Sequence, residues 1–183
     1  YIAPGFSELR EDVYRHCLRA LDRGCNLDDR GLPKIGCGDW NDGFSSVGRG
    51  GKGVSVWLAL FLAMTLDKFS AVCRLRGDKK REIDCSTKAD ALRQAVDTHC
   101  WDGEWYTRAF FDDGSPMGSK GSAECKIDLL PQTFAVLADM PDSTRVDSGL
   151  DHALEKLVDE KLRLVRLFDP PLQSVTRTGS GPV

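Results

Sequence analysis

The residues with the clearest chemical potential lie in a glycine-rich segment near position 40. Four consecutive residues there are flanked by glycines: Asp39, Trp40, Asn41 and Asp42. An indole ring stacks on the apolar face of a pyranose, and carboxylates accept hydrogen bonds from sugar hydroxyls. A carboxylic acid can also protonate the oxygen of a glycosidic bond as that bond breaks. This combination of residues therefore favours carbohydrate chemistry.

The same residues also admit a purely structural explanation. Asn41, Asp42 and Gly43 are typical of an Asx turn, which would leave Trp40 free to tuck into the core. Because such turns are common, spacing alone favours the turn over a sugar site. Other motifs of the chain have to decide between the two.

Composition limits the class of protein. The chain has 183 residues, 41% of them hydrophobic, which is enough to bury the core of about one domain and excludes wholesale disorder. It carries 25 basic and 28 acidic residues, a net charge of −3 at pH 7. A nearly balanced, slightly acidic chain is not expected to bind nucleic acid electrostatically.

The cysteines and histidines indicate neither disulfides nor a metal. Seven cysteines are present, and the odd number argues against a secreted disulfide framework. Two of the three histidines, His16 and His99, directly precede a cysteine. Neighbouring helical residues point about 100° apart, so these pairs do not form a chelate. We therefore predict reduced thiols packed in the core of a cytoplasmic protein, and no metal site.

Hydrophobic spacing predicts an all-α fold. Five helices are expected, over the ranges Ser7 (as N-cap) to Gly24, Val54 to Leu75, Lys79 to Cys100, a helix after Pro131, and Val146 to Leu164 with a cap near Asp142 or Ser143. The β-prone aromatic residues of 101–116 predict a short hairpin or extended excursion. The glycine-rich residues 25–53 predict a long loop of the kind that carries function.

The order of these helices and loops predicts the architecture, the limits of the domain and whether a helix spans a membrane. Long helices separated by loops are typical of a helical-hairpin array or an α/α barrel. Residues 1–171 are predicted to form one domain, and residues 172–183 an irregular tail. The most apolar stretch, Val54 to Leu66, is too short for the roughly 20 helical residues that span a bilayer. We predict a buried helix there, and no membrane span in this segment.

An ordered set of motifs runs through most of the chain. Its members are Gly-Asp-Trp-Asn-Asp-Gly at 38–43, Gly-Lys-Gly and Ser-Val-Trp-Leu within 51–58, Trp-Asp-Gly-Glu-Trp-Tyr at 101–106, Arg-Ala-Phe-Phe-Asp-Asp-Gly at 108–114, Glu-Cys-Lys-Ile-Asp and Pro-Gln within 124–132, and Asp-Pro-Pro at 169–171. From His16 to Pro171 this set closely resembles the inverting β-glycoside phosphorylases of glycoside hydrolase family 94. These include the cellobiose, chitobiose and β-1,2-oligoglucan phosphorylases and the phosphorylase-like domain of cyclic β-1,2-glucan synthases.

The resemblance implies a fold and a set of site residues. The family's catalytic domain is an (α/α)6 barrel, of which this chain would form a part. The family's general acid is the second Asp of the Trp-Asn-Asp motif, here Asp42. Trp40 lines the donor-sugar subsite, and Asp39 and Asn41 shape the loop.

The implied reaction is phosphorolysis of a β-linked gluco-oligosaccharide. Asp42 protonates the bridging oxygen while inorganic phosphate attacks the anomeric carbon with inversion, which yields an α-sugar 1-phosphate. Phosphate is already a nucleophilic anion, so neither a second carboxylate nor a cofactor is needed. Because a proton donor has to be protonated beforehand, we expect Asp42 to be buried among aromatic residues. The resemblance also allows a homodimeric parent.

Two alternatives to an active phosphorylase remain open. One is the phosphorylase-like, glucan-binding domain of a cyclic β-1,2-glucan synthase. The other is an inactive, truncated helical piece, because the family's phosphate-binding residues are expected beyond Pro171. Missing barrel helices would also leave apolar surface exposed. Two positions depart from the family pattern: Val54 stands where a Glu is common, which removes a carboxylate that could tie the loop to the barrel, and Phe134 stands where Trp is frequent.

Further residues have two interpretations each. Arg108 contacts a sugar or phosphate, or forms a structural ion pair with Asp112 and Asp113. Gln132 contacts the substrate, or caps its helix. About half of the aromatic cluster is expected to be core, because alternate residues of an extended segment face opposite ways. The cluster comprises Trp105, Tyr106, Phe110 and Phe111.

Overall fold

The computed structural model describes Gly5 and residues 10–173, and these residues form five α-helices. The helices are α1 (Val13–Gly24), α2 (Val56–Leu75), α3 (Lys79–His99), α4 (Leu129–Leu137) and α5 (Ser143–Leu157). Each begins with an N-cap side chain that accepts a backbone N–H of the first turn, namely Asp12, Ser55, Asp78, Asp128 and Asp142. The predicted helical fold is confirmed.

Short strands connect the helices. A three-stranded antiparallel sheet contains, in order, β1 (Val54–Ser55), β2 (Ala109–Phe110) and β3 (Pro116–Met117). Two further pairs are β4 (Ile127–Asp128) with β7 (Phe168–Asp169), and β5 (Val158–Asp159) with β6 (Leu164–Val165). The predicted excursion contains β2, whereas β1 and β4 to β7 were not predicted. Since β1 and β4 directly precede α2 and α4, the sheets hold the N-terminal ends of these two helices.

Helix α2 is the central helix of the core. It packs against α3, α4 and α1, and it buries residues on most sides, as its composition predicted. With 20 residues it is, by length and composition, also long and apolar enough to cross a membrane, and 50% of its apolar window is buried inside the protein.

Helix α5 ends at Leu157, not at Leu164 as predicted. The buried positions of the helix are spaced by four residues, at Gly149, Ala153 and Leu157. The leucine spacing continues beyond this point, but Asp159 accepts the backbone N–H of Leu162 at 2.9 Å, and the chain turns into the β5–β6 hairpin. A local side chain to backbone bond therefore outweighs the hydrophobic period.

Two predictions fall on residues outside those described. The expected cap Ser7 is one of them; the described helix α1 begins at Val13 and is capped by Asp12, whose side chain accepts the N–H of Arg15. The predicted tail is the other, because only its first two residues belong to the described part of the chain.

Candidate active site

The residues predicted to do chemistry lie in the loop that leads to α2. Asp39 accepts the backbone N–H of Asn41 at 2.9 Å, and Asn41 accepts that of Gly43 at 2.9 Å. Asp42 is the first residue of a single 3₁₀ turn. Two successive side chain to backbone turns shape the loop, so the Asx turn weighed above is present.

Trp40 and Asp42 are both exposed in this loop. Trp40 is 59% exposed, so it does not tuck into the core. Asp42 is exposed as well, and the expected burial among aromatic residues is wrong for the described chain. Phe44 takes the inward position of the turn instead, at 3% exposure, with its ring 6.4 Å from that of Phe168. An indole and a carboxyl group that are close in sequence and open to solvent are suited to contact a ligand.

Arg108 holds Asp39 from below this loop. Its two terminal nitrogens face the two carboxylate oxygens of Asp39, at 2.7 and 2.8 Å, and both side chains are fully buried. Burial by itself would raise the pKa of Asp39. The hydrogen bonds and charge of Arg108, assisted by Ser55 and the Asn41 N–H, outweigh burial and lower that pKa. Asp39 is therefore an ionised, inaccessible carboxylate.

Ser55 connects this ion pair to α2. Its hydroxyl donates to Asp39 Oδ2 at 2.5 Å and accepts from Arg108 Nη1 at 3.1 Å. The same oxygen accepts the backbone N–H of Leu58 and so caps α2. Antiparallel pairing of Ser55 with Ala109 places the serine beside Arg108. One hydroxyl thus joins the loop, the sheet and the helix.

Asp112 holds the following part of the loop. Its carboxylate accepts the backbone N–H groups of Gly50, Lys52 and Gly53, at 2.6, 2.7 and 2.8 Å. Burial acts to raise its pKa, but these three donors and the charge of Lys52 lower it overall. The predicted ion pair of Arg108 with Asp112 is therefore wrong: the arginine binds Asp39, which the fold brings closer than its sequence neighbours.

Asp113 makes local hydrogen bonds after β2. It accepts the N–H and hydroxyl of Ser115, at 2.9 and 2.6 Å, within the turn between β2 and β3. An aspartate that accepts the backbone N–H of the residue two positions later is typical of an Asx turn. The sequence rule that pairs an arginine with the nearest aspartates thus fails for Asp112, whose carboxylate binds the loop backbone instead.

Gln132 lies beneath the site rather than on its surface. It is fully buried in α4, and its Oε1 accepts the N–H of Tyr106 at 3.0 Å. Its Nε2 donates to the carbonyl oxygens of Tyr106 and Asp128, at 2.8 and 3.1 Å. The amide therefore joins the segment before β2 to the start of α4, and its polar atoms face the backbone. Capping of α4 is performed by Asp128 instead.

Asp128 is a site residue that sequence reasoning did not single out. Its Oδ1 accepts the N–H of Leu130 at 2.8 Å, and its Oδ2 lies 3.4 Å from Arg108 Nε. Burial raises its pKa to about 6 against the opposing charge of Arg108. Its position directly before a helix is an N-cap signal in the sequence, but the contact with Arg108 depends on the tertiary fold.

Aromatic rings complete the floor of the site. The guanidinium of Arg108 lies 4.9 Å from the ring centre of Phe44 and 6.0 Å from that of Trp57. Trp57 stacks on Phe61 and meets the edge of Phe134. Phe134, which stands where the family frequently has Trp, therefore still makes an aromatic contact. More than half of the cluster weighed above is core, since Trp105, Tyr106 and Phe110 are buried and Phe111 is half-buried.

The acidic, histidine and cysteine side chains of the described residues are dispersed. Within Gly5 and residues 10–173, no group of three or more His, Cys, Asp or Glu side chains is placed to hold a metal ion. Four cysteines are buried, while Cys37 is exposed beside the loop.

Comparison with known proteins identifies the context of this site. The family model of the glycosyl hydrolase 94 superfamily, catalytic domain, matches residues 5–179. The chain is 41% identical over 175 residues to the cyclic β-(1,2)-glucan synthase NdvB of Rhizobium meliloti, covering 95% of this chain and 6% of that protein. It is 35% identical over 163 residues to the cellobionic acid phosphorylase of Neurospora crassa, covering 87% of this chain and 20% of that enzyme.

A third relative and a solved structure extend the comparison. The 3-O-β-D-glucopyranosyl-β-D-glucuronide phosphorylase of Paenibacillus borealis is 35% identical over 139 residues, 75% of this chain and 18% of that enzyme. The GH78 family rhamnosidase of Bacillus sp. GL1 has a similar fold, with a TM-score of 0.61 at 17% identity over 85% of this chain and 15% of that one. The chain thus spans between 6% and 20% of these three curated relatives.

Proposed function

Because the chain belongs to the glycosyl hydrolase 94 superfamily and matches its catalytic domain, we propose that it carries the acid-bearing loop of an inverting β-glycoside phosphorylase. The substrate is a β-linked gluco-oligosaccharide, and inorganic phosphate is the co-substrate. Asp42 gives its proton to the bridging oxygen while a phosphate oxygen attacks the anomeric carbon. The glycosidic C–O bond breaks, and the products are an α-sugar 1-phosphate and the shortened sugar.

The observation that supports this assignment is the contrast between the two carboxylates of residues 39–42. Asp39 is fully buried and held by Arg108, Ser55 and a backbone N–H, so it stays ionised and has no surface to offer a ligand. Asp42 is exposed two residues after the exposed Trp40. Of the two, Asp42 alone is open to a bound sugar, whose stacking on Trp40 would exclude water from the acid.

The use of phosphate fits the same contrast. An inverting hydrolase needs a second carboxylate to deprotonate water on the far face of the sugar. Asp39, the other carboxylate of residues 39–42, is engaged with Arg108 and cannot serve as that base. An anionic nucleophile removes the need for one, so a single accessible acid suffices for phosphorolysis.

The remaining predicted contacts act on the loop in this proposal. Asn41 and Asp39 shape the turn that presents Asp42, and Arg108 and Gln132 support it from below. Trp40 provides the stacking face for the donor sugar. We therefore assign direct substrate contact to Trp40 and Asp42, and support of the loop to the other residues.

We propose that residues 1–171 belong to one (α/α)6-barrel domain and that the five helices form part of that barrel. Helices α2 and α4 contact each other and carry the site at their N-terminal ends, as inner barrel helices would, while α3 packs on α2 and α5 on α4. Apolar side chains remain exposed on α2 and α4, including Phe61 at 39% and Leu137 at 58%. Further helices of the domain would cover them. A cytoplasmic location and a homodimeric parent stay predictions.

The decisive experiment measures α-sugar 1-phosphate formed from β-linked gluco-oligosaccharides by a complete domain that contains this segment. Product should require phosphate and should be lost in the Asp42→Asn variant. Release of free sugar at the same rate without phosphate would refute the proposal. Because the chain spans a fifth or less of the phosphorylases compared, we expect no turnover from the 183 residues alone.

A second candidate is the glucan-binding, phosphorylase-like domain of a cyclic β-1,2-glucan synthase. The identity of 41% over 95% of the chain to the Rhizobium meliloti synthase favours it. In that case the complete domain should bind β-1,2-glucan through Trp40 and form no sugar 1-phosphate. Calorimetric binding together with the phosphorolysis assay separates the two candidates.

A further inference from the structure

Asp128 and Arg108 form a buried pair whose hydrogen bonding is incomplete. Arg108 Nε lies 3.4 Å from Asp128 Oδ2, and neither atom has a hydrogen-bond partner among the described residues. The other polar atoms of both side chains are engaged, those of Arg108 with Asp39 and Ser55, and Asp128 Oδ1 with a backbone N–H. Buried polar groups are normally paired, so this contact requires a physical explanation.

The charges of the cluster do not balance when every group is ionised. Two carboxylates, Asp39 and Asp128, then face one guanidinium, and the three side chains are between 0% and 1% exposed. An excess charge in a buried site is costly, so one carboxyl favours its neutral form. Asp39 is held by more donors. Burial, reinforced by the charge of Asp39, raises the pKa of Asp128 to about 6 in spite of Arg108 and the Leu130 N–H.

The elements packed around Asp128 bring few other charges to it. The charged and titratable groups near it are Asp39 from the loop, Arg108 before β2, Cys125 before β4 and Asp169 from β7, whereas α5 packs the apolar side chains of Ala153 and Leu157 against the neighbouring Ile127. Burial raises the pKa of the Cys125 thiol to about 12, so it stays neutral. Asp169 forms its own ion pair with Arg166 at the surface. Asp39 and Arg108 are thus the charges that Asp128 responds to.

We propose that Asp128 is a positioning residue of the loop that carries Asp42, acting through Arg108 on Asp39. In its neutral form Asp128 leaves the guanidinium to Asp39. In its charged form it attracts the Nε side of Arg108 and loosens the grip on Asp39. Since Asp39 also accepts the N–H of Asn41, the change reaches the residue before Asp42. The catalytic consequence rests on the proposed function; the structural coupling does not.

The test follows the Asn41 amide by NMR in the full 183-residue chain between pH 4.5 and 8. The amide should shift with a midpoint near pH 6 in the wild type and should lose this step in Asp128→Asn, which keeps the capping group. Asp142→Asn is the matched control and should retain the step. Asp142 caps α5 as Asp128 caps α4, but it is 42% exposed and faces Arg145.

Each outcome of this experiment supports or overturns the proposal. Histidine also changes charge in this range, so a step that persists in Asp128→Asn would belong to another group and would overturn it. A wild type without a step would do the same. Should the variant not fold, the ¹³C carboxyl signal of Asp128 in the wild type must titrate together with the Asn41 amide, and separate midpoints overturn it. None of these readouts needs turnover, so failure of phosphorolysis would refute the proposed function alone.

Discussion

Arg108 grips both carboxylate oxygens of Asp39, at 2.7 and 2.8 Å, across 69 residues of chain. The pair fixes a loop whose next residues are the exposed Trp40 and Asp42. A buried bidentate arginine gives both energy and orientation, because its planar fork matches the carboxylate. The loop that carries the proposed acid is therefore fixed by a fully buried residue.

Replacing the proposed acid should separate Asp42 from Asp39. In a complete domain, Asp42→Asn should lower turnover of a β-linked disaccharide by about 10²- to 10⁴-fold, the usual contribution of general acid catalysis, with sugar affinity largely kept. A glycosyl fluoride needs less protonation and should partly restore the rate. Asp39→Asn should instead impair folding or affinity. If Asp39→Asn showed the leaving-group rescue, or if Asp42→Asn kept near-normal turnover, Asp42 would not be the general acid.

Removing the exposed indole should affect binding and not stability. Trp40→Ala should weaken calorimetric binding of a gluco-oligosaccharide to the complete domain by about tenfold or more, since a stacked aromatic ring contributes about 0.5–1.5 kcal/mol beyond its buried area. The free energy of unfolding should change by less than about 0.5 kcal/mol, because the side chain is 59% exposed. Trp57→Ala, at 8% exposure, is the contrasting variant and should destabilise the protein strongly. Unchanged binding in Trp40→Ala would remove Trp40 from the sugar site.

Loss of the buried arginine should be costly. Arg108→Met leaves Asp39 and Asp128 without their cation, and breaking a buried pair in this way costs about 3–5 kcal/mol of unfolding free energy. Arg166→Met is the control, since Arg166 is 45% exposed in its ion pair with Asp169 and such pairs contribute about 1 kcal/mol or less. Urea denaturation measures both variants. Equal losses would show that the buried network does not stabilise the loop.

Asp128 should make stability fall as pH rises through its folded pKa. A carboxyl with a pKa of about 6 in the folded protein, against 3.8 for an ordinary aspartate, binds its proton more tightly when folded. Its contribution is therefore greatest below about pH 4 and declines up to about pH 6, by an amount on the order of 3 kcal/mol. Asp128→Asn should thus gain stability over the wild type at pH 8 and little at pH 4.5. Denaturation curves that give the same stability difference between Asp128→Asn and the wild type at both pH values would contradict this. Asp142→Asn again serves as the control.

The glycine at position 53 should not tolerate a side chain. A Cβ there would lie 2.2 Å from the carbonyl oxygen of Val47, inside the loop segment that Asp112 holds. Gly53→Ala should lower the unfolding free energy by about 1–3 kcal/mol, as overpacking does. Gly121→Ala, where a Cβ meets nothing within 4 Å, should leave it nearly unchanged. Thermal unfolding compares the two, and equal melting temperatures would show that the loop yields.

Local sequence information was sufficient for helices α2 and α3 and for the turn. The ranges predicted for the helices at 54–75 and 79–100 differ from α2 and α3 by at most two residues at either end, because long apolar periods and capping aspartates act within a few residues. The Asx turn at Asn41 formed as its residue types predict. The last helix was predicted too long, since a period of leucines cannot reveal that Asp159 redirects the backbone.

By itself the sequence determined the family, through an ordered set of motifs, and the residues for which we propose chemistry: an acid and an indole in a glycine-rich turn. The tertiary structure alone decided which of the two acids is free. Pairing of β1 with β2 brings Arg108 to Asp39 and Ser55, and the start of α4 adds Asp128. Charge compensation in a buried site depends on distances in space, and residues tens of positions apart in the chain become partners only when the strands and helices have packed.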